Sequence, residues 1–441
     1  MDINAQVARA TVVAGLGGLL FGFDTVVIAG ANAALTALYH LTSGWLGFTV
    51  ASALIGTVIG SIFAGIPGQR LGRRDSLRLM AVLYLLSAIG CALAWSWPSL
   101  IVFRILSGLA IGGSSVLGPM YISELAPTKW RGRLVGFFQV NIVLGILLAY
   151  LSNFLIGRLN LGANEWRWQL GVAALPALMF FLALFGIPRS PRWLVMVGRR
   201  EEALRVLHLL GDPDPAMRLS RIQAEIDEER RAHAVPLFTR THARGIFVAI
   251  TVGAFTQLAG INAILYYSNT IFGLAGASSI SGSQQSVAVG ATNLIATLVA
   301  MTLIDRIGRK KLLLGGTVGL ALTLTAVGAI FYTHSHMNLL LPLLMLYIAC
   351  FAVSQGAVVW VYISEVFPTA VRAKGQALGS SSHWVFNAAI SYAFPVMLRW
   401  STPATFWFFA IMMVVDLVMV STMYPETSNV SLEDMQHHLQ H

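Results

Sequence analysis

The chain has 441 residues, of which 56% are hydrophobic and only 11% are charged, and its mean hydropathy is +0.72. A soluble protein carries about 25% charged residues. The chain therefore lacks the polar surface of a soluble enzyme, and disordered chains and disulfide scaffolds fit no better. Its net charge of +10 needs a separate explanation, because basic residues can indicate either a nucleic-acid partner or the orientation of membrane helices.

Continuous apolar runs recur along the whole chain at the length of about 20 residues that a membrane-spanning helix needs. They do not alternate with a period of two residues, so strands of a membrane barrel are not expected. We predict an all-α integral membrane protein with twelve spans, at about 8–30, 44–67, 76–96, 99–122, 133–157, 167–188, 244–266, 284–304, 312–333, 339–364, 375–397 and 403–424.

The positions of the basic residues predict the orientation of these spans. If both termini are cytoplasmic, 25 of the 29 Lys and Arg residues fall in cytoplasmic segments and three fall outside. This asymmetry follows the positive-inside rule. The net charge therefore reports topology in a cell (inner) membrane, contacts with lipid are expected, and no nucleic-acid partner is expected.

Three motifs occur twice at nearly the same offset. YISELAPTKWR at 121–131 recurs as YISEVFPTAVR at 362–372, RLGRR at 70–74 recurs as RIGRK at 306–310, and IPRSP at 187–191 is echoed by YPETS at 424–428. Such a repeat predicts two six-helix halves related by an axis along the membrane normal, as in the major facilitator fold.

The repeat also predicts the division of the chain. The expected parts are an N-terminal half at 1–188, a cytoplasmic linker with short amphipathic helices at 189–243, a C-terminal half at 244–424 and a cytoplasmic tail at 425–441. In this architecture the substrate binds near mid-membrane between the halves, which expose it to each side in turn.

Two charged residues inside predicted spans are candidates for function, since such charges cost about 2.5–3.5 kcal/mol on insertion scales. Asp24 lies in span 1 and Arg104 in span 4. They form either a proton-coupling pair, with an aspartate that alternately binds a proton and pairs with arginine, or a permanent structural ion pair. Asp416 in span 12 is interpreted as a tie between helices, and the alternative is a second protonatable group.

Amides and aromatic rings are concentrated in spans 5, 7, 8, 10 and 11. They supply the donors and acceptors that a polyhydroxylated neutral ligand needs, although a single asparagine in a span usually ties two helices together. The set is Gln139, Asn141, Thr256, Gln257, Asn262, Tyr266, Tyr267, Asn293, Gln355, Trp360, His383, Trp384 and Asn387.

Charges of the repeated loop motifs are predicted to form a cytoplasmic latch that holds the outward-facing state. The alternative is that they only set the topology. The predicted latch residues are Arg73, Arg74, Glu124, Arg131, Arg309, Lys310, Glu365 and Arg372.

The stretch QLAGINAILYYS at 257–268 resembles the QQxxGINxxxYY signature of the sugar porters, a family of major facilitators. RLGRR, SPRW, DRIGRKK and PET occur in that family's order and spacing. The resemblance is strongest to proton-coupled bacterial sugar symporters and implies Asp24 and Arg104 as the coupling pair. It implies a sugar site made of Gln139, Gln257, Asn262, Asn293 and Trp360, with Phe21, Tyr267, His383, Trp384 and Asn387 at the cavity or its gate.

Five positions depart from the family pattern: Gln69, Thr256, Arg189, Gln355 and His383. Thr256, Gln355 and His383 affect which sugar is bound, whereas Gln69 and Arg189 alter the latch. We predict a monomeric proton:monosaccharide symporter that needs no cofactor or metal and is not an enzyme. The alternatives are a sugar uniporter, a porter of another polyol or organic solute such as inositol or an organic acid, and a non-transporting sensor. The sequon at Asn429 lies in the predicted cytoplasmic tail, so no glycan is expected there.

Overall fold

The computed structural model describes residues 3–127, 129–232, 236–276, 279–367 and 371–426, and over these residues the regular structure is helical throughout. Residues 427–441 of the predicted tail, including the Asn429 sequon, lie outside the described residues.

The α-helices are numbered here in chain order. The first eight are α1 Ala5–Tyr39, α2 Ser43–Phe63, α3 Gly65–Arg70, α4 Arg73–Ala92, α5 Trp97–Leu125, α6 Arg131–Gly157, α7 Glu165–Gly171 and α8 Ala174–Ala183. The predicted linker contains α9 Pro191–Met196, α10 Arg200–Leu209 and α11 Pro215–Ala232. The remaining nine are α12 Ala243–Leu258, α13 Ile261–Tyr266, α14 Ser268–Leu274, α15 Ser279–Ile307, α16 Arg309–Thr333, α17 Leu340–Val353, α18 Gln355–Glu365, α19 Arg372–Trp400 and α20 Thr402–Thr422. Short 3₁₀ turns lie at Gly162–Asn164, Leu184–Gly186, Arg240–His242 and Met337–Leu339.

Eleven helical segments within the described residues are long and apolar enough to cross a membrane. They correspond to eleven of the twelve predicted spans. The predicted span at 375–397 is the continuous 29-residue helix α19, whose serines, His383 and Asn387 make it more polar than the other eleven. Four of these spans are interrupted: α2 and α3 share one, α7 and α8 share another, α12 and α13 share a third, and α17 and α18 share a fourth.

Contacts group the chain into two units that do not follow the sequence halves. Unit 1 comprises 1–25, 52–149 and 167–234, and unit 2 comprises 26–51, 150–166 and 235–441. Each unit has its own apolar core. That of unit 1 includes Leu77, Ile111 and Phe180, and that of unit 2 includes Val248, Tyr362 and Phe367. The predicted boundaries at 188 and 244 stay a prediction.

A capping serine with proline one or two residues later starts α5, α9 and α20. Ser96 accepts a hydrogen bond from the backbone N–H of Ser99 at the start of α5, and Ser401 accepts one from Ala404 at the start of α20. A side-chain acceptor at this position satisfies one of the free N–H groups of the first turn, and proline needs no partner there.

Glycine allows α2 and α5 to pack backbone to backbone in unit 1. A Cβ on Gly108 would lie 1.9 Å from the carbonyl oxygen of Ala53, and one on Gly56 would lie 2.2 Å from that of Ile105. Membrane helices associate through such small residues. This close packing fixes the position of α5, which carries Arg104.

Candidate substrate and proton-coupling site

Asp24 is buried in unit 1 and receives a hydrogen bond from α5. Its side chain is 7% exposed, and the Ser107 hydroxyl donates to its Oδ2. Arg104, which is 2% exposed, acts electrostatically on the same carboxyl. Residues three apart lie on one face of a helix, so Arg104 and Ser107 both face α1. Sequence reasoning missed Ser107, although this spacing from Arg104 could have indicated it.

Close packing between α1 and α6 holds Asp24 at this depth. A Cβ on Gly22 would lie 1.8 Å from the carbonyl oxygen of Ile142, and one on Gly145 would lie 2.0 Å from that of Leu19. Because α1 continues through Gly22 without a break, Asp24 sits on a continuous helix. A rigid element of this kind keeps a functional side chain in a defined position.

Gln139 and Phe21, two of the predicted sugar-site residues, also belong to unit 1. Gln139 is half-buried on α6, and its amide makes no hydrogen bond within the described part of the chain. Phe21 is half-buried and packs against the core of unit 1.

The predicted seventh span breaks at Gly260 in unit 2. Gly260 adopts a left-handed conformation with φ of +83°, and its N–H donates to the Gln257 carbonyl at 2.8 Å. Glycine is the residue that reaches this region without strain. The turn folds Asn262 back onto the end of α12, where its Nδ2 donates to Gln257 Oε1 at 2.9 Å. Two predicted sugar-site residues are thus hydrogen-bonded to each other.

Breaking a helix inside a membrane leaves carbonyl groups without intrahelical partners, which is costly where water is absent. Here Tyr347 donates to the carbonyl of Ala259, next to Gly260, at 2.7 Å. Two more side chains of unit 2 donate to carbonyls at the other end of α13, before the break at Tyr267: Tyr150 donates to Leu265 at 2.6 Å, and Asn32 donates to Tyr266 at 2.9 Å. These bonds stabilise both ends of α13.

His383 lies at the centre of the amide and indole cluster. Its imidazole ring is buried and within hydrogen-bond distance of Gln257 Nε2, which is 3.0 Å from Nε2 and 3.3 Å from Nδ1 of the ring. The ring centroid lies 4.9 Å from that of Trp360 and 5.2 Å from that of Trp384. Trp384 is buried, but Trp360 is 37% exposed and presents apolar ring surface beside the amides.

Asn387 forms a second polar group further along α19. Its Nδ2 donates to the Tyr266 hydroxyl at 3.3 Å, and its Oδ1 accepts from Ser391 at 3.2 Å. Tyr267 donates to the Ser391 carbonyl at 3.0 Å. These contacts tie α13 to α19.

Asn293 behaves differently from the other predicted amides of unit 2. It is buried on α15, yet within the described residues its side chain makes no hydrogen bond to protein. A buried amide usually has a partner. Asn293, like the half-buried Gln139 of unit 1, therefore has donors and acceptors left for a ligand.

The first predicted latch contains a buried ion pair. Arg73 Nη2 lies 2.9 Å from Glu124 Oε1, Arg73 Nη1 donates to the Gly68 carbonyl at 2.9 Å, and the Ser190 hydroxyl donates to Glu124 Oε2. Arg131, in contrast, makes no ion pair in the described part of the chain, and its buried Nε has no hydrogen-bond partner.

The second predicted latch lies in unit 2. Arg309 Nη2 is 3.2 Å from Glu365 Oε1, and the backbone N–H groups of Arg309 and Lys310 donate to Glu426 at 3.1 and 3.2 Å. Glu426 thus satisfies the first N–H groups of α16, where a carboxylate is favoured by the helix dipole. Arg372 Nε donates to the Phe367 carbonyl at 3.4 Å.

Aligning the repeats shows two positions whose charges are of opposite sign in the two halves. Glu426 corresponds to Arg189, and Lys311 corresponds to Asp75. Arg189 Nη2 lies 3.2 Å from Asp75 Oδ2, and Arg74 Nε lies 3.1 Å from Asp75 Oδ1. Asp75 thus brings negative charge to the start of α4. Arg74 pairs with Asp75 rather than with Glu124, and the family departure at Arg189 is compensated within unit 1.

Comparison with known proteins agrees with the motifs in these helices. A sequence model of the family described as "Sugar (and other) transporter" matches residues 10–439. The chain belongs to this sugar transporter family. It is 34% identical to the D-xylose-proton symporter of Escherichia coli K12 over 98% of its own length and 96% of that protein. It is 36% identical to the arabinose-proton symporter of Bacillus subtilis 168, over 96% of its own length and 93% of that protein.

Solved structures of the family share the fold. The inward-open xylose transporter XylE from E. coli superposes with a TM-score of 0.88 at 34% identity, over 98% of this chain and 99% of that one. The same transporter bound to 6-bromo-6-deoxy-D-glucose superposes with a TM-score of 0.81 at 34% identity, over 99% of each chain. The major facilitator fold is therefore confirmed, and the chain is a multi-pass membrane transporter rather than an enzyme.

Proposed function

We propose that the chain is a proton:monosaccharide symporter that works by alternating access. The observation that carries this proposal is the Asp24 carboxyl, buried in α1 with Ser107 donating to it and Arg104 acting on it from α5. An ionisable group at this depth is functional by default. The names of the relatives, which are proton symporters of D-xylose and of arabinose, support it.

In the proposed cycle, Asp24 binds a proton from the outer side, which weakens its attraction to Arg104. Sugar binding and closure then carry the neutral carboxyl to the inward-facing state. There Asp24 releases the proton and interacts with Arg104 as a carboxylate again. One proton moving down a potential of about 100 mV supplies roughly 2.3 kcal/mol, which corresponds to accumulation on the order of forty-fold.

The proposed sugar contacts in unit 2 combine amides with an indole ring. Asn293 has free hydrogen-bonding groups, and Gln257 and Asn262 are oriented by each other and by His383. The exposed face of Trp360 suits the apolar face of a sugar ring. Gln139 and Phe21 are added to the proposed contacts because of the family resemblance. Tyr267, Trp384 and Asn387 are proposed to lie at the sugar cavity or its gate.

The decisive test is Asp24→Asn, which keeps the shape of the side chain and removes its titration. In proteoliposomes the variant should lose concentrative uptake but retain sugar counterflow, which needs no net proton movement. Asp227→Asn is the matched control, because Asp227 lies on α11 and bonds only Gln223 in the described structure. If Asp24→Asn still accumulates sugar against a gradient, the chain is not coupled through this residue.

A competition panel tests the substrate class. The competitors of the labelled sugar are xylose, arabinose, glucose, galactose, inositol and small carboxylic acids. Uptake is measured with and without a proton uncoupler. At least one monosaccharide should inhibit uptake of a labelled monosaccharide, and the uncoupler should abolish its accumulation. Inhibition by carboxylic acids alone would exclude a sugar substrate.

We further propose that both termini and the helices α9 to α11 are cytoplasmic, and that the latch pairs Arg73–Glu124 and Arg309–Glu365 stabilise the outward-facing state. Single cysteines placed in α11 should react with an impermeant thiol reagent only after the membrane is opened. Glu365→Gln should shift the transporter toward the inward-facing state, and an unchanged distribution would contradict the latch. The proposed symporter acts as a monomer in lipid.

A further inference from the structure

The span made of α17 and α18 has an unusual break. Helix α17 ends at Val353, Ser354 has φ of −114° and ψ of −96°, and α18 starts at Gln355. The Ser354 hydroxyl donates to the Cys350 carbonyl at 2.6 Å. A Cβ on Gly316 of α16 would lie 2.1 Å from Ser354 Oγ. The break is therefore packed tightly against α16. Neither Ser354 nor Gln355, the residues at the break, is a proline or a glycine.

The first side chain after the break binds an intramembrane carboxyl. Gln355 Nε2 donates to Asp416 Oδ2 at 2.8 Å, and Thr317 Oγ1 donates to the same oxygen at 3.3 Å. All three side chains are buried, and Asp416 is only 2% exposed. Three helices, α16, α18 and α20, thus meet at one carboxyl. These bonds agree with the interpretation of Asp416 as a tie between helices.

The carboxyl makes no ion pair within the described residues. On the helices packed against α20, the cationic residues lie in the terminal turns, and His383 is held by Gln257 between two tryptophans. Tyr424, just beyond α20, donates its hydroxyl to Thr251 at 2.8 Å. The titratable groups on and next to these helices are Arg244, Arg309, Lys310, Lys311, Arg372, Lys374, His383, Arg399 and Tyr424, together with Cys350, which lies on α17.

An ionised carboxylate in such a place is costly, because two neutral donors do not replace the hydration that it loses. A neutral carboxyl avoids that cost. It also brings an O–H donor next to Gln355, whose buried Oε1 has no hydrogen-bond partner. An acid and a primary amide have complementary donors and acceptors. The packing in the structure therefore suits the protonated form of Asp416.

We propose that Asp416 is a second proton-binding site of this transporter, and that release of its proton is coupled to movement of α18 about Ser354. The proton leaves the carboxyl O–H for water, which reaches Asp416 only when Gln355 moves away with α18. A proton can bias a conformational equilibrium only through such a difference between the two states. This inference deepens the proposed symport, adding a second carboxyl to the one at Asp24.

The direct test is infrared difference spectroscopy of the purified protein during a pH titration, with Asp24→Asn as the background to remove the other intramembrane carboxyl. We expect a carbonyl band of a protonated carboxyl in Asp24→Asn that persists to neutral pH and is absent in Asp24→Asn/Asp416→Asn. If the two proteins give the same bands, Asp416 binds no proton and the proposal is wrong.

Sugar counterflow in the same two proteins tests the coupling. In Asp24→Asn, counterflow should slow over the pH range in which the carbonyl band disappears. In the double variant, counterflow should not change over that range. Gln355→Leu in the Asp24→Asn background should keep the band and lose the pH dependence, which separates proton binding from a structural role. Identical pH profiles in all three would refute the coupling. Failure of the symport proposal is read separately, from sugar accumulation by the unmodified protein that a proton uncoupler leaves unchanged.

Discussion

Replacing Gly260 with alanine should damage both stability and sugar binding. The left-handed φ of +83° costs about 1–2 kcal/mol for a residue with a Cβ. In addition, the new Cβ would lie 2.8 Å from Phe409 Cδ2, and crowding in a packed interior costs about 1–3 kcal/mol. Together the two effects predict a loss of about 2–5 kcal/mol in the free energy of unfolding.

Two other glycines of the same region separate these causes. Gly276 has φ of +88° but, within the described residues, nothing within 4 Å of its Cβ position, so Gly276→Ala should show the conformational cost alone. Gly273 lies in α14 without a positive φ and with the same open surroundings, so Gly273→Ala should be neutral or slightly stabilising. Adding Phe409→Leu to Gly260→Ala should recover only that part of the lost free energy of unfolding that comes from crowding.

The measurements are thermal unfolding of the purified protein and sugar binding followed by tryptophan fluorescence. Binding should weaken in Gly260→Ala because the turn at Gly260 brings Asn262 Nδ2 to Gln257 Oε1, and it should stay normal in the two control variants. The reasoning would be refuted if Gly260→Ala matched Gly273→Ala in both measurements, since the break would then need neither the positive φ nor the close approach of Phe409.

Three smaller predictions concern single contacts. Arg189→Glu should lower the melting temperature by the equivalent of about 0.5–1 kcal/mol, more so at low salt, because a carboxylate would replace the cation beside Asp75; Arg189→Lys, which keeps the charge, should lose less, and equal losses would exclude the ion pair as the reason. Tyr347→Phe should cost about 1–3 kcal/mol in thermal unfolding, because the buried Ala259 carbonyl loses its donor; no loss would mean that this bond does not stabilise the break. Ser401→Ala should cost about 1 kcal/mol in the same assay while Ser401→Asn should not, and equal losses would exclude capping as the reason.

Sequence alone predicted the fold because membrane helices are specified by composition and length, properties that need no knowledge of contacts. The motif repeat then predicted the major facilitator arrangement. The breaks in the spans were not predicted. The break at Gly260 needs a left-handed residue, but the chain has many glycines in continuous helices, and the one at Ser354 has no such residue at all. The break at Gly260 depends on a side chain distant in sequence, because Tyr347 satisfies the Ala259 carbonyl, whereas at the other break the Ser354 hydroxyl satisfies the Cys350 carbonyl of its own span.

The candidate site was predictable at the level of residue types and less so at the level of pairs. The i, i+3 spacing of Arg104 and Ser107 was available in the sequence, but it became informative only when Asp24 was placed opposite α5. The hydrogen bond between His383 and Gln257 joins residues 126 apart, and no periodicity predicts such a contact. Asp416 was recognised as unusual, yet its partners lie on two other helices.

Gly22 and Gly260 are 238 residues apart, within the range of offsets of the repeated motifs, and they are used for different physical purposes. Gly22 lets α6 approach α1 within a continuous helix, because its missing Cβ would clash with the Ile142 carbonyl at 1.8 Å. Gly260 instead supplies a left-handed turn that ends α12. Two residues beyond each glycine, the first half has Asp24 and the second has Asn262. A continuous helix holds an ionisable group at a fixed depth, whereas the turn directs a neutral amide onto Gln257. The same motif position therefore serves proton chemistry in one half and hydrogen bonding to a neutral ligand in the other, which is why Asp24→Asn is expected to remove coupling while leaving the sugar contacts of unit 2 intact.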